Sequence, residues 1–213
     1  MNLLKTVFYY IVSGFFRVFF TLYNRLEVRG IENIPDGRQV IVASNHASNA
    51  DPLIIGGVFP GRLRYLAKES LFRIPLLGFF VSVLGAIPVA REDSQRAGVV
   101  IRIMLALLKE GRSILIFPEG TRSEGGELRR LEAGVAMMSV KSGVPVLPAY
   151  IGGSHKACQK GRFIPRPVKI TVTFSRPIYP IEGPIGEREK RGRLMEEIES
   201  ELSAMGRAVA PRD

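Results

Sequence analysis

Gln39-Val40-Ile41-Val42-Ala43-Ser44 is a short run of β-branched and small apolar residues, and it breaks at once into Asn45-His46-Ala47-Ser48-Asn49-Ala50-Asp51. An apolar run without polar alternation predicts a strand buried on both faces. A polar turn follows it, and Asp51–Val58 then reads as helical. The same alternation continues outward. Residues 63–67 and 86–90 are strand-like, and the apolar stretch 71–84 lies between them. A helix is expected from near Ser94, capped by Asp93 or Ser94, with Ala97, Val100, Ile101, Met104, Leu107 and Leu108 on one stripe and Gly111 as its stop. Residues 113–117 read as a buried strand, and Gly134–Ser142 as a short helix ended by Gly143. Residues 144–151 and 168–174 read as strands, and 184–205 as a charged surface helix. Strands alternating with helices predict an α/β fold: a single domain with a mixed central sheet flanked by helices. Neither an internal repeat nor a low-complexity linker interrupts it.

The 213 residues suit one domain with a short appendage. Lysine and arginine exceed aspartate and glutamate by 30 − 20 = 10, so an anionic partner is expected, whether a membrane surface or a phosphate-bearing substrate. Basic residues are not interleaved with stacking aromatics, which argues against nucleic acid. The lone cysteine, Cys158, forms no internal disulfide and fits a reducing compartment. One cysteine and two histidines make no zinc cluster.

Residues 3–23 are apolar and aromatic, interrupted by Lys5 and Arg17. Leu4, Phe8, Ile11, Phe15, Val18 and Leu22 recur at helical spacing and share one face. Phe, Tyr and Leu with scattered cations suit the headgroup boundary of a bilayer. The expectation is an uncleaved amphipathic helix lying in or dipping into one leaflet. The competing expectation is a soluble helix packed on the core by that same stripe. The chain divides accordingly into a membrane-associated segment, residues 1–28, and a domain at 29–213. Residues 71–84 are too short to span a bilayer and predict either a buried helix or a second lipid-facing surface.

Two constellations carry chemistry. His46 and Asp51 stand on the turn after the first buried strand, where an irregular turn can bring the carboxylate to the imidazole. The aspartate then sets the tautomer and stabilises imidazolium, and the other ring nitrogen is left to take a proton from a hydroxyl. Taken alone, this spacing equally describes a structural histidine satisfied by a nearby carboxylate. The second constellation, Phe117-Pro118-Glu119-Gly120-Thr121-Arg122-Ser123, also follows a buried strand, and ligands gather at strand carboxyl ends in open α/β sheets. Gly120 permits a sharp turn. Arg122 offers a fork of donors suited to phosphate. Glu119 is expected either to hold an acceptor hydroxyl or to lock Arg122. His155 is a candidate for lining the site, with a loop histidine without a role as the blander alternative.

His46 and Asp51, followed about seventy residues later by Phe-Pro-Glu-Gly-Thr-Arg-Ser, resemble the glycerolipid acyltransferase family. Gly85-Ala86-Ile87-Pro88-Val89-Ala90-Arg91 and Val144-Pro145-Val146-Leu147-Pro148-Ala149 resemble two further blocks of that family. The resemblance covers about half the chain. It implies His46 as general base and Asp51 as its partner. It implies Lys68, Arg91, Glu119, Gly120, Thr121 and Arg122 as acceptor-binding residues, with Arg122 on the acceptor's phosphate. It also implies acyl-CoA or acyl carrier protein as donor, a lysophospholipid acceptor, phospholipid biosynthesis, and a place on the cytoplasmic face of the inner membrane. The sequence departs from the family at Leu131-Glu132-Ala133-Gly134, where many members carry a lysine at the position of Glu132.

The expected reaction is direct transfer of a fatty acyl group to the free hydroxyl of 1-acyl-glycerol 3-phosphate. Backbone amides near the two motifs are the expected oxyanion donors. Other lyso-lipids and glycerol 3-phosphate are alternative acceptors, and a non-catalytic lipid-binding protein is the alternative outside the enzymes. Neither a metal nor a cofactor is expected, because phosphate-loop and dinucleotide fingerprints are lacking.

Overall fold

The computed structural model describes residues 3–90, 97–123, 125–158 and 165–209. Seven strands form one sheet: β1 (Glu27–Arg29), β2 (Ile41–Ser44), β3 (Leu63–Lys68), β4 (Ala86–Val89), β5 (Ser113–Ile116), β6 (Val146–Gly152) and β7 (Thr171–Phe174). Their order is β1-β7-β6-β2-β5-β3-β4. All neighbours are parallel except β6 and β7, which run antiparallel. The sheet is therefore mixed, as expected.

β2 is wholly buried at the centre, between β5 and β6. Its side chains alternate between the two layers of core. Val40 and Val42 pack with α1 (Leu3–Asn24), α2 (Asp51–Val58) and α4 (Leu77–Val83). Ile41 and Ala43 pack on the other face with α5 (Ala97–Lys109), α6 (Gly134–Ser142) and α8 (Glu187–Val209). A strand covered on both faces has no use for polar alternation, which is why its sequence reads as one apolar run.

The helices after the adjacent strands β2 and β5 leave on opposite faces, α2 on the first and α6 on the second. The two connecting loops are thereby parted, and a crevice opens at the carboxyl ends of β2 and β5. His46 follows β2 and Glu119 follows β5, so both arrive at that crevice.

The N-terminal helix forms as expected, but the face it packs by is a different one. Tyr9, Val12, Phe16 and Phe20 are buried against the domain, whereas Leu4, Phe8, Ile11, Phe15, Val18 and Leu22 are exposed. The competing expectation of a soluble helix packed by the latter stripe is overturned. The helix is apolar nearly all round, so spacing alone did not say which stripe faces protein. Polar contacts fix the choice. Tyr9 Oη donates to the Gly61 carbonyl at 3.1 Å and Ser13 Oγ to the Gly56 carbonyl at 2.8 Å. Gly57 lets the helices close up: a Cβ there would stand 3.2 Å from the Arg17 amide nitrogen.

The stretch 71–84 forms no single helix. It divides into α3 (Glu69–Phe72) and α4. Gly78 and Val81 are buried while Leu76 and Phe79 are exposed, and the Phe79 ring meets Phe8 edge-on at 5.6 Å. One face of the segment is thus buried, as one of the two expectations had it, and the other is exposed. The other elements fall close to their expected bounds, with strand ends one to three residues shifted and α8 running to Val209. β1 was not anticipated, because three residues carry no periodicity. Asp93 and Ser94, the expected caps of α5, lie outside the described residues.

Candidate active site

The turn after β2 is built around one carboxylate. Asp51 begins α2, and its Oδ2 accepts from the amides of Ala47 and Ser48, each at 2.7 Å, and from His46 Nδ1 at 2.9 Å. The two amides bend residues 46–51 back on themselves, so the i, i+5 pair meets through a folded turn. Asp51 is completely buried and its Oδ1 has no partner, while His46 remains 19% exposed. Because Oδ2 can only accept, Nδ1 carries the proton, and Nε2 presents its lone pair outward. Among the described residues Nε2 has no hydrogen-bond partner.

The loop after β5 holds the other sides of the histidine. The Phe117 ring stacks on the imidazole with centroids 4.1 Å apart and planes 19° from parallel. Glu119 Oε1 accepts from the His46 amide at 2.7 Å, and the His46 carbonyl accepts from the Ser123 amide at 2.8 Å. Glu119 Oε2 accepts from the Arg129 amide at 3.0 Å. The glutamate is therefore a brace between three chain segments. It forms no pair with Arg122, so the expected lock on Arg122 gives way to a positioning role. Burial raises its pKa above the ordinary carboxylate range, opposed by the two amides and by His46. Gly120 sits at φ +67°, and a Cβ on it would stand 2.7 Å from Glu132 Oε1. The positive φ calls for glycine there.

Two residues that sequence reasoning missed complete the frame. Asn45, 2% exposed, donates Nδ2 to the Ile151 carbonyl at 3.0 Å and accepts the Ile151 amide on Oδ1 at 2.7 Å. It extends the β2–β6 ladder by one side-chain rung and holds the histidine turn on β6. The other is Phe117, which the sequence placed at the head of the second constellation without a role of its own. An asparagine directly before His46, level with a buried strand, was the one available signal for the first.

The other expected site residues fall as follows. Lys68 ends β3 and is exposed at the same sheet edge. Thr121 is exposed and Arg122 half-buried in the loop after β5, and Arg122 has no ion pair among the described residues. Arg91 lies outside the described residues. The amides of Ala47, Ser48, Gly120 and Ser123 are already bonded within the protein. They are not spare oxyanion donors, contrary to the expectation for amides near the motifs. The amides of Thr121 and Arg122 carry no hydrogen bond to a described residue. Cys158 is a free thiol whose pKa burial pushes up to about 11, so it stands as the protonated thiol at neutral pH. No group of His, Cys, Asp and Glu among the described residues is arranged to hold a metal ion.

The family model described as Acyltransferase matches residues 25–152. A 1-acyl-sn-glycerol-3-phosphate acyltransferase of Borreliella burgdorferi is 40% identical over 124 residues, covering 58% of this chain and 50% of that protein. The chloroplastic 1-acyl-sn-glycerol-3-phosphate acyltransferase LPAT1 of Arabidopsis thaliana is 29% identical over 180 residues, covering 82% and 49%. This chain thus spans about half the length of these curated relatives. The crystal structure of the 1-acyl-sn-glycerophosphate (LPA) acyltransferase PlsC from Thermotoga maritima matches with a TM-score of 0.70 at 28% identity, over 99% of this chain and 98% of that one.

Proposed function

The chain belongs to the acyltransferase family, and from that premise we propose that it moves a fatty acyl group from a thioester to the free hydroxyl of 1-acyl-glycerol 3-phosphate, giving phosphatidate. The observation that carries the reading is the outward Nε2 lone pair of His46, with its ring fixed on three sides. Nε2 takes the proton of the acceptor hydroxyl as that oxygen attacks the thioester carbonyl. Asp51 stabilises the imidazolium that results. The tetrahedral intermediate then collapses, the C–S bond breaks, and the thiolate leaves and receives the proton. The oxyanion in between is met by donors of the Thr121–Arg122 segment. Neither a nucleophilic side chain nor a metal is needed, since the acceptor supplies the attacking oxygen.

Lys68 and Arg122 stand at the edge where the acceptor's phosphate is bound, and the Arg122 guanidinium, without an ion pair to a described residue, is available for it. Arg91 is assigned to the same phosphate from the sequence motif. Gly120 and Glu119 shape the loop that carries Arg122. Relatives named for lysophosphatidate acylation support this acceptor. A second acceptor is favoured by Glu132, whose carboxylate lies against Gly120 in the same loop and would pair with a lipid headgroup bearing a cation. Acyl transfer with labelled acyl-CoA and acyl carrier protein thioesters, on a panel of lysophosphatidate, glycerol 3-phosphate and lyso-aminolipids, decides between them. Phosphatidate is the expected product. Exclusive labelling of the aminolipid keeps the chemistry and moves the acceptor, and the absence of any product under all pairs removes the enzyme reading.

Residues 1–28 serve as the membrane-associated segment and 29–213 as the acyltransferase domain, with the boundary inside β1 so that the helix passes directly into the sheet. By length and composition Thr6–Asn24 could cross a bilayer. Its contacts with α2 favour a helix lying in the interface plane, with Ile11, Phe15, Val18 and Leu22 in lipid beside Leu76 and Phe79. The donor supply places this on the cytoplasmic face. Phe15→Glu with Val18→Glu puts two charges into that stripe. Vesicle co-sedimentation should fall at least ~10-fold, since each apolar side chain buried contributes roughly 1.5–3 kcal/mol. Unchanged sedimentation would exclude this stripe as the contact.

A further inference from the structure

A second cavity lies next to the histidine turn, on the side away from Lys68. It measures about 710 Å³ and opens between the last turns of α8 and the adjoining ends of β6 and β7. Tyr150, Gly152, His155, Lys156, Thr171 and Arg207 line it. The transfer chemistry above uses none of them.

Ser44 pairs with Ala149, and Asn45 clamps Ile151, so the β6 end that lines the cavity adjoins the β2 end that leads into His46. Residues 125–128 line the cavity on the side of the histidine turn, and Ser123 bonds to that turn. The Ser123 amide donates to the His46 carbonyl, and the Gly126 carbonyl accepts from Tyr150 Oη at 3.2 Å. Gly126, at φ +81°, lies directly on the His155 ring: a Cβ there would stand 2.4 Å from Nδ1. A substrate that reaches over residues 125–128 can react at His46 while its far end sits in the cavity.

The lining is suited to a phosphate. Among the described lining residues three cations, Lys156, Lys169 and Arg207, face one carboxylate, Glu127. Lys169 is held by Glu27 at 2.6 Å, which leaves Lys156 and Arg207 without an ion pair to a described residue. Burial lowers the pKa of His155, with Lys156 adding to the effect and Asp51 opposing it, so at neutral pH the ring is a neutral hydrogen-bonding group.

We propose that this cavity holds the phosphate-bearing head of the thioester donor, gripped by Lys156 and Arg207 with His155 as a hydrogen-bonding partner. This rests on the acyl-transfer reading. The acceptor's phosphate is assigned to Lys68 and Arg122 on the β3–β5 side of β2, whereas this cavity lies on the β6–β7 side. Only the donor is left to occupy it. Both donor types carry their thiol on a phosphopantetheine arm, so the shared chemistry is that arm's phosphate, to which coenzyme A adds a nucleotide.

The test uses the full chain in nonionic detergent. Calorimetric titration with coenzyme A, and with pantetheine as the probe lacking phosphate, compares wild type with Lys156→Ala/Arg207→Ala. Both side chains are exposed, so the double variant should melt like wild type, and Lys156→Arg/Arg207→Lys should retain binding. Coenzyme A should bind the double variant at least ~10-fold more weakly, given the strength of hydrogen bonds to charged groups, with pantetheine unaffected. In transfer assays the KM for acyl-CoA should rise by the same factor, with the acceptor KM unchanged. A matching rise for the carrier-protein thioester identifies the common arm phosphate, and a rise for acyl-CoA alone identifies the nucleotide. Unchanged KM for both thioesters, or a rise confined to the acceptor, overturns the proposal. Phosphate-dependent binding of coenzyme A without any acyl transfer would instead overturn the transfer reading and leave the cavity's role intact.

Discussion

His46→Ala should lower kcat for acyl transfer by roughly 100- to 10,000-fold, the usual contribution of a positioned general base, with little change in acceptor KM. The substitution removes Nε2 but leaves the surrounding turn intact. Asp51 Oδ2 keeps the Ala47 and Ser48 amides, and the backbone of residue 46 keeps Glu119 and Ser123. The fold and the vesicle binding should therefore survive, and a thermal melt close to wild type would show that the loss is chemical. What the variant does lose besides the base is the stack on Phe117, a contact of modest energy. Transfer within a few-fold of wild type would show that another group takes the proton, and the outward Nε2 would then have no part in the reaction.

The architecture was largely legible because β2 and β5 sit at the centre of a two-faced sheet. Burial on both sides writes itself as apolar runs at 39–44 and 113–117, each followed by a polar turn. The junctions were legible for the same reason, since an abrupt change from β-branched residues to His46 or to Pro118-Glu119-Gly120 marks a strand end. Elements held by few residues left no such trace. β1 pairs through three residues only, and the division of 71–84 into two helices depends on Gly78 fitting against the Phe72 carbonyl, where a Cβ would stand 2.4 Å away. For α1 the helix was legible and its orientation was not. Two apolar stripes are present, and only the hydroxyls of Tyr9 and Ser13, finding carbonyls on α2 and beyond it, choose between them.

The candidate site was legible as a set of residues but not as a set of contacts. The sequence offers Glu119 three residues before Arg122, and an ion pair is the natural guess from proximity. The fold supplies better partners, two buried amides that would otherwise lack acceptors. An unsatisfied buried amide costs about 1–3 kcal/mol, so the carboxylate goes where that cost is largest and not to Arg122. This choice is made across 73 residues of sequence, which no local pattern encodes. The same holds for Asn45, which finds its partners on β6, 106 residues away.

Asp51→Asn isolates charge from geometry. The native carboxylate uses only one oxygen: Oδ2 takes the amides of Ala47 and Ser48 and the imidazole, while Oδ1 is buried without a partner. An asparagine amide can place its oxygen at the Oδ2 position and its nitrogen at the vacant Oδ1 position. The reverse orientation would set an NH2 against two N–H donors and is excluded. The turn is thus preserved, and Nδ1 continues to donate, so the histidine keeps its working tautomer. The negative charge facing the imidazolium is what disappears. We expect kcat to fall on the order of 100-fold, less than the ~10,000-fold loss seen where an amide forces the wrong tautomer. The melting temperature should change little, whereas Asp51→Ala, which strands two amides and the imidazole, should unfold several degrees lower. A kcat close to wild type would mean that Asp51 serves only to fold the turn. The charge beside His46 would then contribute nothing to the transfer step.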